Sequence, residues 1–242
     1  EIQSLRKRFP MSRNNNESDK KGMDVYHFID NLSECMGSDD IVVTDMGSSL
    51  TVTHSTIKLK ERQRILTSTG LGEMGFGLPA AIGVRLAEPK KRVILIVGEG
   101  SLMFNLQELE TMSNLANKPK LIILNNNSYL SIQHTIKALY GEQHEYAGTS
   151  PSAGVTFPDL NKVLTSFNIK TEILCHDTSL KVNIDKFLKS DNDAMIVNLI
   201  EGQELIPKSA IKVDSEGKIY SPPLEDMYPF LPKNELKKLM ED

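Results

Sequence analysis

An α/β fold, with a parallel sheet of roughly six strands and helices on both faces, is the architecture that this 242-residue sequence predicts. Three observations carry it. VILIV (93–97) and LIIL (121–124) are apolar throughout, as strands covered on both faces are. Strand-sized runs alternate with stretches of helical spacing. Four of those runs end in small or polar residues, and open α/β sheets bind ligands beyond the carboxyl ends of their strands.

The elements follow in order. Residues 1–9 carry four charged groups around Leu5 and Phe9, as a short surface helix does, and residues 10–22 (PMSRNNNESDKKG) form a polar linker. Val25, Phe28, Ile29, Leu32, Cys35 and Met36 recur at the spacing of one helix face. Strands are predicted at Ile41 to Thr44, Arg64 to Thr67, Val93 to Val97, Leu121 to Leu124, Thr171 to Leu174 and Met195 to Leu199. Helices are predicted at Pro79 to Ala87, Asn105 to Ala116, Pro158 to Phe167 and Ser179 to Leu188. Pro79 suits a first helical turn, where its missing N–H would have no intrahelical partner. Asn105 with Glu108 three residues on reads as a capping box, and Leu106, Leu109, Met112 and Leu115 form the inward face. The chain thus divides into an N-terminal helix and linker (1–22), one α/β domain (23–200) and a proline-rich tail packed on it (201–242), which ends in a short charged helix.

Composition narrows the function. With 28 basic and 32 acidic residues the net charge is -4, which gives no basic face for nucleic acid. No apolar run reaches the roughly 18 residues of a membrane span, and the first residues lack the apolar core of a signal peptide. Cys35 and Cys175 are too few for a disulfide framework and read as free thiols, so a reducing cytoplasm is expected. The chain begins without Met, which suits a piece of something longer.

The strand exits hold the candidate chemistry. IVVT leads to Asp45-Met46-Gly47-Ser48-Ser49, and RILT leads to a glycine-rich stretch ending Gly70-Leu71-Gly72-Glu73-Met74-Gly75. VILIV leads to Gly98-Glu99-Gly100-Ser101, and KLIIL leads to Asn125-Asn126-Asn127. The 24 residues from 101 to 124 separate the last two clusters, so a carboxylate and a carboxamide fall on one edge of the sheet. Mg²⁺ takes near-octahedral oxygen ligands, usually one or two from protein beside phosphates and water. Glu99 offers a carboxylate oxygen, Asn126 an amide oxygen, and Ser128 a backbone carbonyl. Gly98 and Gly100 would let the backbone approach a phosphate. Either cluster alone reads as a solvated turn; the two at this separation read as a cation tied to a diphosphate. Gly70, Gly72 and Gly75 also spell G-x-G-x-x-G, with Glu99 at the end of the next strand. A dinucleotide-binding oxidoreductase is therefore the alternative. Gln133 and His134, after the asparagine turn, could face a substrate, whereas His27, His54, His144 and His176 have no metal-site spacing.

GEGSLMFNLQELETM followed by KLIILNNNSYLSIQ resembles the carboxy-terminal, diphosphate-binding domain of thiamine diphosphate enzymes of the acetolactate synthase type. Thr44-Asp45-Met46-Gly47 is similar to that family's T-D-x-G element. Gly72 to Gly83 (GEMGFGLPAAIG) is similar to its G-x-M-G-F-G-L-P-A-A-I-G stretch. TSPSAGVTFPDL and SPPLEDMYPFL look like a subgroup associated with surface-polysaccharide biosynthesis. The resemblance covers nearly the whole chain. It implies thiamine diphosphate and Mg²⁺ as cofactors, with Glu99, Asn126 and the Ser128 carbonyl on the metal. It puts Gly47, Ser48, Ser49, Gly100 and Ser101 along the diphosphate, and the Gly72 carbonyl and Met74 on the aminopyrimidine. Glu99 stands where the family usually has aspartate. The family's catalytic glutamate sits in a separate pyrimidine-binding domain, and no residue here matches it. The expected partners are that domain, in a longer chain or another subunit, a 2-oxo acid or ketone substrate, and further copies in a homodimer or hetero-oligomer. A noncatalytic cofactor-binding subunit is the remaining alternative.

Overall fold

The computed structural model describes residues 2–11, 21–141, 148–174, 179–206, 212–213, 216, 218–221 and 223–241. Cys175, His144, His176 and most of the 10–22 linker lie outside them. The order of elements is α1 (Ile2–Arg8), α2 (Val25–Cys35), β1 (Ile41–Thr44), α3 (Ser48–Thr56), β2 (Arg64–Leu66), α4 (Gly77–Ala87), β3 (Val93–Gly98), α5 (Glu99–Leu102), α6 (Glu108–Ser113), β4 (Lys120–Asn125), α7 (Leu130–Tyr140), α8 (Leu160–Ser166), β5 (Thr171–Leu174), α9 (Leu180–Lys189), β6 (Ala194–Asn198), β7 (Lys212–Val213), β8 (Ile219–Tyr220) and α10 (Lys233–Glu241). Strands β1 to β6 form one sheet in the order β2-β1-β3-β4-β6-β5, parallel at every pairing. Among the described residues no helix is long and apolar enough to cross a membrane.

The all-apolar strands are explained by two cores. Ile94 and Ile96 of β3, with Ile122 and Leu124 of β4, pack beneath α2, α3 and α9. Their neighbours Val93, Leu95, Val97, Leu121 and Ile123 point the other way, against α4, α6 and α8. Alternation therefore survives in direction while both directions are dry. Phe187 of α9 is fully buried in the first core and carries the Lys120 ammonium 5.0 Å above its ring. Phe187→Ala is expected to cost about 3–5 kcal/mol in urea unfolding, because the void cannot collapse between a sheet and a helix.

Three helices were not foreseen: α3, the four-residue α5 and α7. The segment after α5 also differs from the predicted helix over Asn105 to Ala116. A 3₁₀ turn occupies Met103–Asn105 and α6 is only six residues. Asn105 makes no capping bond. Its Nδ2 donates instead to the Gly75 carbonyl at 2.8 Å, so a contact 30 residues away takes the group that a local cap would have used. Leu109 and Met112 are buried as the stripe implied. Cys35 is a half-buried free thiol facing the Lys181 carbonyl.

After β6 the chain turns back onto α2. The Tyr26 hydroxyl donates to the Ile206 carbonyl at 2.6 Å, and Gln203 donates to the Asp24 carboxylate at 2.6 Å. Farther along, Arg8 of α1 pairs with Glu235 of α10.

The strand order locates a crevice. The chain leaves β1 through α3 to reach β2 on one side, then returns through α4 to β3 on the other. Helices therefore depart to opposite faces between the carboxyl ends of β1 and β3, which is where such sheets open a ligand site.

Candidate functional site

At that point lies a cleft of about 370 Å³. Four chain segments wall it: Met46, Gly47, Ser48 and Thr51; Gly72 and Met74; Gly98 to Ser101; and Asn126 with Ser128 to Ile132.

Glu99 opens α5, next after Gly98, so the end of β3 throws its side chain toward the end of β4. The carboxylate is 2 % exposed. Its Oε1 accepts from the Asn126 and Ser128 N–H groups, both at 3.1 Å. The Asn126 Oδ1 accepts from the same Ser128 N–H and from the Ser128 hydroxyl, both at 3.0 Å. Carboxylate and carboxamide oxygens thus converge on one N–H, from adjacent paired strands. Burial pushes the Glu99 carboxyl up to about 7, against the pull of the Glu99, Ser128, Asn126 and Asn127 N–H groups. No cationic side chain lies among the groups that shift it. A buried carboxylate beside an amide oxygen, with no cationic side chain among the groups that shift it, is a donor set that fits a hard oxygen-seeking metal ion.

The three asparagines do three different things. Asn125 donates to Asn198 Oδ1 at 2.9 Å and braces β4 against β6. Asn126 faces the cleft. Asn127 takes the left-handed conformation (φ 56°) that turns the chain into α7.

Anion-binding capacity comes from helix starts. α3 begins at Ser48 with no side-chain cap, and α7 begins at Leu130 with none either. The first N–H groups of a helix lack intrahelical partners and sit at its positive end, so a phosphate placed there is stabilised. Both starts contribute to the cleft wall.

Of the residues predicted for the site, Gly47, Ser48, Gly72, Met74, Glu99, Gly100, Ser101, Asn126 and Ser128 all line this cleft. Ser49 does not. It is fully buried, and its hydroxyl donates to the Asp45 and Met46 carbonyls at 3.0 and 2.8 Å. Its hydroxyl is thereby engaged within the α3 turn. Gly100 is covered by Tyr129, since a β-carbon there would meet the ring at 2.5 Å. Gly98 is the open glycine, with nothing within 4 Å of such a β-carbon. Gln133 and His134 are not part of the cleft wall.

Sequence reasoning missed Met46, Thr51, Tyr129, Leu130, Ser131 and Ile132. All but Met46 and Tyr129 belong to α3 and α7. Ile132, Ile136 and Leu139 recur at i, i+4 and i+7, a spacing that could have revealed α7. Asp45 was quoted in a motif without a role. It is 1 % exposed and its carboxylate accepts from the N–H groups of Met46 (2.7 Å), Gly75 (3.1 Å) and Gly77 (2.7 Å). Gly77 is the first residue of α4. The helix start that a dinucleotide pyrophosphate would need after the G-x-G-x-x-G string is therefore already occupied by a carboxylate.

Residues 45–198 match the family model described as thiamine pyrophosphate enzyme, C-terminal TPP binding domain. The acetolactate synthase isozyme 1 large subunit of Escherichia coli (strain K12) is 32 % identical over 197 residues, 80 % of this chain and 34 % of that protein. The probable acetolactate synthase large subunit of Methanocaldococcus jannaschii is 28 % identical over 195 residues, 78 % of this chain and 32 % of that protein. The acetolactate synthase large subunit of Pyropia yezoensis is 37 % identical over 127 residues, 52 % of this chain and 21 % of that protein. The chain spans about a third of the length of the first two relatives and less of the third.

Proposed function

Because the chain belongs to the thiamine pyrophosphate enzymes of the acetolactate synthase type, through their C-terminal cofactor-binding domain, and its cofactor is thiamine diphosphate, we propose that it is the Mg²⁺- and diphosphate-binding half of a 2-oxo acid decarboxylase or carboligase. Glu99, Asn126 and the Ser128 carbonyl hold the metal. Ser48, Gly100 and Ser101, with the backbone at Gly47, receive the diphosphate, helped by the uncapped starts of α3 and α7; Ser49 braces the first turn of α3 from behind. The Gly72 carbonyl and Met74 meet the aminopyrimidine. The observation that carries this reading is the convergence of the Glu99 and Asn126 oxygens at the crevice between β1 and β3.

Bound thiamine diphosphate supplies an electron sink for breaking a C–C bond beside a carbonyl. This chain's part is to neutralise and orient the diphosphate, keep water from the buried carboxylate and present the ring end of the cofactor at Met74. The glutamate that moves a proton at the aminopyrimidine belongs to a pyrimidine-binding domain, joined to this one or carried by another subunit. Substrate is a 2-oxo acid or ketone, handled in the cytoplasm by a homodimer or hetero-oligomer. Residues 23–200 form the working unit, with 1–22 and 201–242 outside it.

Calorimetry provides the test. The chain should bind thiamine diphosphate only with Mg²⁺ present and should show no heat with NAD; the reverse pattern would favour the oxidoreductase. The purified chain is expected to leave 2-oxo acids untouched until the pyrimidine-binding domain is added. Turnover by the chain alone would overturn the half-site assignment, and silence after addition would favour a noncatalytic subunit.

A further inference from the structure

Resting on that reading of the cleft, we infer that Asp45 and Asn105 are positioning residues that hold Met74 in its binding posture before any ligand arrives. The Asp45 carboxylate leaves the end of β1 and is closed off from solvent. It accepts from three backbone N–H groups, two of them from the loop that carries Met74. No ion pair to Asp45 is found among the described residues, so these N–H groups are what offsets the burial of its charge. One belongs to the peptide joining Met74 to Gly75. Another opens α4, which has no side-chain cap of its own. Asp45 thus caps a helix from a strand 32 residues earlier.

The grip is two-sided. Asn105, from the turn after α5, donates to the Gly75 carbonyl at 2.8 Å. Gly75 itself has φ +90°, and a β-carbon there would lie 2.7 Å from Cβ of Phe104. The peptide before Gly75 is therefore fixed from β1, and the peptide after it from the 103–105 turn. Met74, whose side chain belongs to the cleft wall, has little backbone freedom left to lose on binding. A loop already ordered spares the ligand that entropic cost. The diphosphate end of the cleft, by contrast, rests on α3, α5 and the asparagine turn, and meets Asp45's carboxylate at one point, the Met46 N–H.

The two ends can be separated by ligand. The wild-type chain, Asp45→Asn and Asn105→Leu would each be titrated with Mg²⁺ plus thiamine diphosphate and with Mg²⁺ plus inorganic pyrophosphate. Asp45→Asn keeps the size of the side chain but turns an NH₂ group toward an N–H donor. Thiamine diphosphate affinity should fall about tenfold or more, as the loss of a charged hydrogen bond implies. Pyrophosphate affinity should fall less, by about threefold at most, because only the Met46 N–H joins Asp45 to that end. Amide exchange at Gly75 and Gly77 should quicken. Asn105→Leu should give the same split more weakly, and it stands in if Asp45→Asn does not fold. Equal losses for both ligands would mean a merely structural role and overturn the inference. So would a wild-type chain that binds thiamine diphosphate no better than pyrophosphate, although the diphosphate reading would stand. Binding of neither ligand by wild type would bring down both.

Discussion

Glu99→Gln is expected to abolish Mg²⁺-dependent cofactor binding, lowering affinity about a hundredfold or more, and at the same time to stabilise the cofactor-free chain above neutral pH. Both effects come from one carboxyl. It titrates at about 7 in the native chain against 4.5 when unperturbed. Between those values the unfolded chain has released a proton that the native chain keeps. Stability from this group is thus complete below pH 4.5 and is lost as pH climbs through 7. The shift corresponds to roughly 3 kcal/mol between the two ends. Gln has no proton to lose, and its amide oxygen can still accept from the Asn126 and Ser128 N–H groups. Urea melts at pH 5 and pH 8 should show wild-type stability declining and the variant nearly level. Mg²⁺ should restore wild type at pH 8 and do nothing for the variant. If the variant binds Mg²⁺ and thiamine diphosphate as tightly as wild type, the metal assignment is wrong.

Gly100→Ala is the second substitution with a large expected effect. The added methyl would lie 2.5 Å from Cε1 of Tyr129. That ring cannot simply swing aside. It meets Phe157 edge-on at a 5.4 Å centroid distance, and its backbone N–H donates to the Thr149 carbonyl at 2.9 Å. Overpacking of this kind costs about 1–3 kcal/mol. Because Tyr129 lines the cleft, the displaced ring should also weaken Mg²⁺-dependent thiamine diphosphate binding by about tenfold or more. Tyr129→Ala would remove the obstacle, so the double variant should be more stable than the sum of the two single losses. A double-mutant cycle measures this directly, and strict additivity would show that the ring and Gly100 do not press on one another.

The sheet was legible because its signals are local. Runs such as VILIV and KLIIL carry enough β-branched and apolar residues to be read without knowing their neighbours, and the two cores explain why they lack alternation. The meeting of Glu99 and Asn126 was legible for a related reason: each follows directly on such a strand. What escaped was determined across the fold. Asn105 looks like a helix cap in its own neighbourhood, yet its amide is claimed by Gly75. Asp45 gives no local hint that it will cap α4. Ser49 sits in the right motif, but a helix turn rotates its hydroxyl inward. α3 was hidden by a sequence, SSLTVTHST, with no amphipathic stripe and several β-branched residues; tertiary packing makes it helical, with Ser49, Val52, Thr53 and Thr56 buried along one face.

The cleft's four walls are spread from residue 46 to residue 132 and become neighbours only when β1, β3 and β4 have lined up. A chain emerging from the ribosome consequently has nowhere to seat its cofactor until everything through the first turn of α7 is out. Ligand loading thus inspects the register of three strands at once.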